Sequence, residues 1–220
     1  MTSDPPESRP GTARPDAIRV GVTLPRPTIA IRPNLWHNWA RIAMKAEARA
    51  IAAHSRGIST GEIADALEAE TLECMVTVSG VRHSFHHLYL DCHLLLGLEP
   101  AGDEPKVPRL ATTDLPLDDN DLRSWLDDLQ QVVVDRDEIV HISQESRPAV
   151  PHPLGTNTSE FDARFTAERA TRAVDLMLDF YRKVMTSPSD AMRPWAEKRQ
   201  HVPGDFDSLR AKYRASEEGS

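Results

Sequence analysis

An apolar stripe runs through residues 63–95 of this chain. Ile63, Leu67, Cys74, Val78, Val81, Phe85, Leu88, Cys92 and Leu95 follow one another at steps of three and four, with one gap around Glu70 and Thr71. Only helical spacing brings such positions to one face, and a face of that length must be covered by other elements. None of the 17 prolines falls between Asn34 and Leu98, so nothing in that stretch removes a helical hydrogen bond. Gly80 is read as a bend in this helix and Gly97 as its close.

Three more helices are expected to cover the stripe. Asn34 is a candidate N-cap for an alanine-rich helix to about residue 55, with Trp36, Trp39, Ile42, Ala43, Ala46, Ala50 and Ile51 on one side and Gly57 at its end. Ser59 and Glu62 read as a capping box opening the long helix. A third helix starts near Asp118, where Asp118, Asp119 and Asp121 suit a helix N-terminus, and carries Leu122, Trp125, Leu129, Val132, Val133, Arg136 and Val140. Ser159 caps a fourth helix, over about 160–185, with Phe165, Ala170, Val174, Met177, Phe180, Tyr181 and Val184 on one side. Proline-broken loops at 99–116 and 144–158 connect them. The expected fold is all-α, an up-down four-helix bundle with proline-rich loops over residues 34–186. A disordered or extended N-terminal arm, residues 1–33, precedes it, with residues 1–16 read as disordered and 18–31 as a β-like arm or small hairpin. A polar, loosely held tail, residues 187–220, follows, with a short helix near 205–214.

The net charge of −8 argues against a protein that coats nucleic acid by bulk electrostatics, while leaving room for a local basic site. No run of 18 apolar residues exists and the first residues lack an apolar core, so neither a membrane span nor a signal peptide is expected. Cys74 and Cys92 fall 18 positions apart on one helix, about 27 Å along its axis, and cannot bond to each other. A reduced, cytoplasmic chain is the simplest reading. No glycine-rich phosphate loop, dinucleotide fingerprint or nucleophile elbow is present, and nothing calls for a cofactor.

The chemistry concentrates at the end of the third helix, in Val134-Asp-Arg-Asp-Glu-Ile-Val-His-Ile142. Arg136 is in register with Val133 and Val140. A cation on an apolar stripe needs a carboxylate such as Glu70 or Glu73, a subunit contact or an anionic ligand. His141 follows five positions later, about 140° around the helix and about 7.5 Å along it. The two groups therefore splay within one helix. Across a two-fold axis, each arginine could approach the other copy's histidine and form a shared cationic cleft. Asp137, one turn before His141, is placed to orient the imidazole.

Arg136-Asp-Glu-Ile-Val-His141 resembles the R-x4-6-H motif of HEPN domains, with a polar residue after the arginine and aliphatic residues before the histidine. The setting is similar too: the end of the third helix of an all-α domain, then a loop and a long amphipathic helix. Many HEPN domains are metal-independent endoribonucleases, often toxins or antiviral effectors, that work as homodimers with the motif at the subunit interface. Others of the same fold serve as non-catalytic dimerisation or binding modules. The resemblance implies catalytic roles for Arg136 and His141 with Asp137 in support, RNA as substrate, and an antitoxin or regulatory protein as a further partner. RNA carries its own nucleophile in the 2′-hydroxyl. An imidazole, with an ordinary pKa of about 6.5, can exchange a proton with it near neutral pH. A guanidinium fork matches the charge that develops on the phosphoryl oxygens. The chain departs from HEPN toxins that carry a tyrosine two positions after the histidine, since Ser143 stands there.

A second cluster, Arg82-His-Ser-Phe-His-His87 with Asp91 and His93 beyond, puts His83, His87 and Asp91 at one-turn intervals. Such spacing can chelate a divalent metal, form a solvated face or line an RNA channel. Among the tryptophans, Trp39 and Trp125 fit core stripes, whereas Trp36 and Trp195 read as cap or surface contacts.

Overall fold

The computed structural model describes residues 35–96, 119–141, 149–186, 188, 190, 193–199 and 205–219. The expected N-terminal arm and hairpin, the Asn34 cap, the Gly97 stop, the loop at 99–116 and Ser143 lie outside them. The elements are α1 (Leu35–Thr60), α2 (Ile63–Leu96), α3 (Asp119–Val140), β1 (Ala149–Pro151), β2 (Asn157–Ser159), α4 (Glu160–Arg164), α5 (Ala167–Thr186), α6 (Arg193–Arg199) and α7 (Phe206–Glu218). The protein is therefore all-α in character. Among the described residues, no helix is long and apolar enough to cross a membrane.

α2 is the organising element, touching α1, α3, α5 and α6. Its stripe is buried much as its spacing requires, through Cys74, Val78, Val81, Phe85 and Leu88. Gly80 is a point of close approach to α1, because a Cβ there would stand 3.1 Å from the Ala43 Cβ and 3.2 Å from the Ala43 backbone nitrogen. Small residues on α1 (Ala40, Ala43, Ala50 and Ala53) are fully buried in the same seam. An aromatic cluster fills the space between α2, α3 and α5, with Phe85 edge-on to Phe180 at 5.2 Å and Trp125 stacked on Phe180 at 5.0 Å. Ser84, buried among them, donates its hydroxyl to the Trp36 carbonyl and shares a hydrogen bond with the Tyr181 hydroxyl.

Several boundaries differ from those the sequence pattern suggests. α1 runs through Gly57 and stops at Thr60, where Gly61 adopts φ +76°. Gly57 is buried, a Cβ there falling 2.7 Å from that of Ala66. Ser59 belongs to this helix and its hydroxyl donates to the Arg56 carbonyl, so it does not cap α2. Thr60 instead accepts the Glu62 N–H at 3.2 Å. The loop expected before the last long helix contains a hairpin in which Val150 pairs with Thr158, antiparallel. Ser159 does act as an N-cap, its Oγ accepting the Asp162 N–H at 3.0 Å, but α4 ends at Arg164. Thr166 then caps a separate α5, accepting the Arg169 N–H at 3.2 Å. Two local caps in one segment thus divide what apolar spacing reads as one helix.

The C-terminal segment carries structure beyond the short helix its sequence suggests. Trp195 of α6 and Phe206 of α7 are buried in the core beside Trp36, which is buried as well, so neither Trp36 nor Trp195 is a surface contact. α7 packs on α1, where Glu47 is fully buried and receives Arg210 and Arg214. A buried carboxylate needs such partners, and its two guanidinium groups come from 163 and 167 positions away.

Candidate functional site

α3 turns Trp125, Leu129 and Val132 of its expected stripe to the core, but not Val133, Arg136 and Val140. Trp125, Leu129, Val132 and Asp135 are buried, while Val133 and Arg136 are half-buried and Val140 is exposed. Asp135, rather than Arg136, occupies the core-facing register. It accepts Arg169 Nε at 2.6 Å and the Gln131 amide at 2.9 Å. The buried ion pair of this helix is thus Asp135 with Arg169 of α5, a pair that locks α3 to α5.

Arg136 stands on the adjoining flank. Its Nη1 donates to Asp137 Oδ1 at 2.9 Å, and the Asp137 side chain is 56% exposed. The acids expected as alternatives are engaged elsewhere. Glu73 is held by a fork from Arg49, with both contacts at 2.7 Å. Glu70 is fully buried, bound to His54 Nδ1 at 2.9 Å and to the Ala167 backbone N–H at 2.6 Å. Arg136 therefore faces outward into a cleft of about 270 Å3 lined by Val133 and Asp137 from its own helix and by Arg82, His83 and His86 from α2.

The far wall of that cleft is well ordered by its neighbours. His83 Nδ1 donates to the Ser79 carbonyl at 2.7 Å, and its ring stacks on Trp39 at 4.6 Å. With Nδ1 fixed as the donor, Nε2 is the edge left for other partners. Trp39 is accordingly half-buried against a histidine and not sunk in the core. His86 and His87 pack edge to face at 5.3 Å, and burial followed by the nearby His83 pushes the His87 imidazole below its ordinary pKa. Asp91, the third member of the one-turn series, accepts the Trp195 indole N–H at 2.9 Å. Among the described residues no group of three or more His, Cys, Asp or Glu side chains is arranged to hold a metal ion.

His141 is exposed just beyond α3, its backbone N–H bonded to the Asp137 carbonyl at 3.0 Å. It does not line the cleft that Arg136 lines. The Asp137 carboxylate is turned to Arg136, so within the chain the arginine and aspartate are together and the histidine stands apart. On the same helix, Val134 and Val140 are 42% and 55% exposed, apolar surface beside the charged motif.

A second polar cluster lies inside the protein. His152, at the hairpin loop, is 4% exposed; its Nδ1 accepts the Leu154 N–H at 3.1 Å, and its Nε2 is buried without a hydrogen-bond partner. Burial pushes this imidazole below its ordinary pKa, against the opposing pull of Glu70. Cys74 is buried close by, and burial, reinforced by Asp135, raises its thiol far above the usual range, which makes it an inert core residue. A larger groove of about 400 Å3 between α3 and α5 is walled by Arg169, Arg172 and Lys183 and by Asp128, Asp175 and Asp179, so that the charges of its described lining balance.

The α2 wall is the part of the cleft that the motif itself does not reveal. The cluster Arg82 to His87 is visible in the sequence, but its position opposite Arg136 depends on how α2 and α3 pack. Compared with protein-family models, curated proteins and solved structures, the chain matches none of them.

Proposed function

We propose that this chain is a metal-independent endoribonuclease of HEPN type, acting as a homodimer on an up-down bundle of its long helices. Arg136 and His141 are the catalytic residues and Asp137 supports them. The observation that carries this reading is the position of Arg136: half-buried in a cationic cleft, beside an exposed carboxylate, while Glu70 and Glu73 are engaged by other groups. A guanidinium so placed keeps donors available to a phosphodiester.

In the proposed reaction, the RNA 2′-oxygen attacks the adjacent phosphorus and the 5′-oxygen leaves. His141 takes the 2′-hydroxyl proton, and the 5′-oxygen departs with a proton delivered by the partner's His141 in its imidazolium form or by water. The products are a 2′,3′-cyclic phosphate and a 5′-hydroxyl. Arg136 stabilises the charge gathering on the phosphoryl oxygens. Because His141 splays from Arg136 within one helix, the partner's copy of the motif completes the site, and exposed Val134 and Val140 supply apolar area for that contact. A toxin or antiviral effector role, an antitoxin or regulatory partner and a cytoplasmic location belong to the same reading.

Purified protein is expected to cleave RNA in EDTA and to leave DNA of the same sequence intact. His141→Ala is expected to abolish cleavage while circular dichroism stays unchanged. Full activity in that variant overturns the assignment. The second reading, a non-catalytic dimerisation or binding module, is favoured by the same exposed valines, and predicts a dimer without cleavage under any condition.

A further inference from the structure

We propose that Arg82, His83 and His86 on α2 form a phosphate-binding wall that seats one backbone phosphate of single-stranded RNA against Arg136 on α3. RNA as the source of that phosphate rests on the ribonuclease reading above; the anion preference of the cleft rests on its own residues.

Positions 82, 83 and 86 fall within about 100° of arc on α2, so their side chains leave the helix on one side. The structure sets them across a single cleft from Arg136, with Asp137 the one carboxylate among the described residues of the lining. Among the described residues, two permanent cations and two imidazoles line the cleft against one carboxylate, on a chain of net charge −8. Such a contrast concentrates a polyanion here rather than over the general surface. The lining is also directional. His83 is held by the Ser79 carbonyl and by Trp39, so its Nε2 edge is left to donate to a phosphate oxygen in the imidazolium form. The cleft, at about 270 Å3, falls below the ~300–1,000 Å3 of pockets that enclose whole small molecules, so it suits a phosphate group with its ester oxygens rather than a base. A phosphate held there would carry the adjoining nucleotide along α3 toward the His141 end.

The test uses the full chain and a fluorescent 2′-O-methyl oligoribonucleotide, whose blocked 2′-oxygen allows binding without cleavage. Anisotropy titrations over a salt series give Kd and its salt slope. Arg82→Gln is expected to weaken binding about tenfold and to reduce the slope by about 0.7, the loss of one phosphate contact on a single strand. His86→Ala is expected to weaken it about threefold, and Arg82→Lys to restore most of the affinity, since charge is kept and only the fork is lost. Folding of each variant is checked by circular dichroism. Unchanged affinity in both Arg82→Gln and His86→Ala, or no binding by the unmodified chain, overturns the proposal. RNA cleavage that persists with Arg82→Gln binding normally removes the wall and leaves the nuclease reading standing. Arg82-dependent binding by a protein that never cleaves RNA keeps the wall and removes the nuclease.

Discussion

The Glu70 carboxylate on α2 accepts the backbone N–H of Ala167, the first residue of α5, at 2.6 Å while its other oxygen binds His54 of α1 at 2.9 Å. One buried side chain thus joins three helices and satisfies an N–H that the helix start would otherwise leave without a partner. Glu70→Ala strands that N–H and the His54 imidazole and is expected to cost about 2–4 kcal/mol in urea unfolding. Glu70→Gln keeps an acceptor for Ala167 and should cost less than half as much. Equal losses in the two variants would refute the capping role.

Glu47 on α1 and Arg210 on α7 form a second buried link, with Arg214 joining and Asp175 of α5 binding the same Arg210. Glu47→Ala is expected to destabilise by about 3–5 kcal/mol because two guanidinium groups lose their buried counter-charge. The double variant Glu47→Leu with Arg210→Met should recover much of that loss, since an apolar pair removes the desolvation cost on both sides. Additive losses in the double-mutant cycle would show that the two side chains do not interact.

Gly57 of α1 and Gly80 of α2 sit where the seam between the two helices has no room for a methyl group. Alanine in a helix interior ordinarily gains about 1 kcal/mol over glycine. Here Gly57→Ala is expected to lose about 1–3 kcal/mol, because the new Cβ would stand 2.7 Å from that of Ala66. Gly80→Ala should show no gain, its contacts being the Ala43 Cβ and backbone atoms, none of which can rotate away. Thermal melts that rise for both variants would contradict the packing.

His37, His87 and His152 are all pushed below the ordinary pKa of 6.5, mainly by burial. As pH falls through about 6.5, the unfolded chain takes up protons that the native imidazoles refuse, so stability is complete above that pH and is lost below it. The melting temperature is expected to drop between about pH 7.5 and pH 5.5, before carboxylates titrate, and to drop less in His152→Gln. A melting temperature that is flat across this window, or that rises toward acid, would be the opposite sign.

The all-α character and the course of α2 were legible because a helix of that length needs no knowledge of its partners. The face of α3 was legible only as far as Val132. Val132, Val133 and Val134 are consecutive, so two registers about 100° apart bury a similar number of valines. The register that buries Leu129 and Val132 also buries Asp135, and what makes this tolerable is Arg169, 34 positions away. The gap in the α2 stripe at Glu70 likewise reads as a break, although the position is fully buried, because its partners are His54 and the start of α5. The hairpin at 149–159 and the division between α4 and α5 depend on short caps and turns that apolar spacing does not register.

At the candidate site, the sequence determines which residue types follow one another: an arginine, an aspartate and, five positions after the arginine, a histidine near a helix end. It also contains the cluster Arg82 to His87, a third of the way along the chain. Periodicity within a helix is a local property, so it could set the angle between Arg136 and His141. That Arg82, His83 and His86 face Arg136 across one cleft, while Glu70, Glu73 and Asp135 are drawn into other pairs, came from the packing of α2 against α1, α3 and α5. The reason is that a charged side chain's partner is chosen by three-dimensional proximity and burial, neither of which is a function of sequence distance.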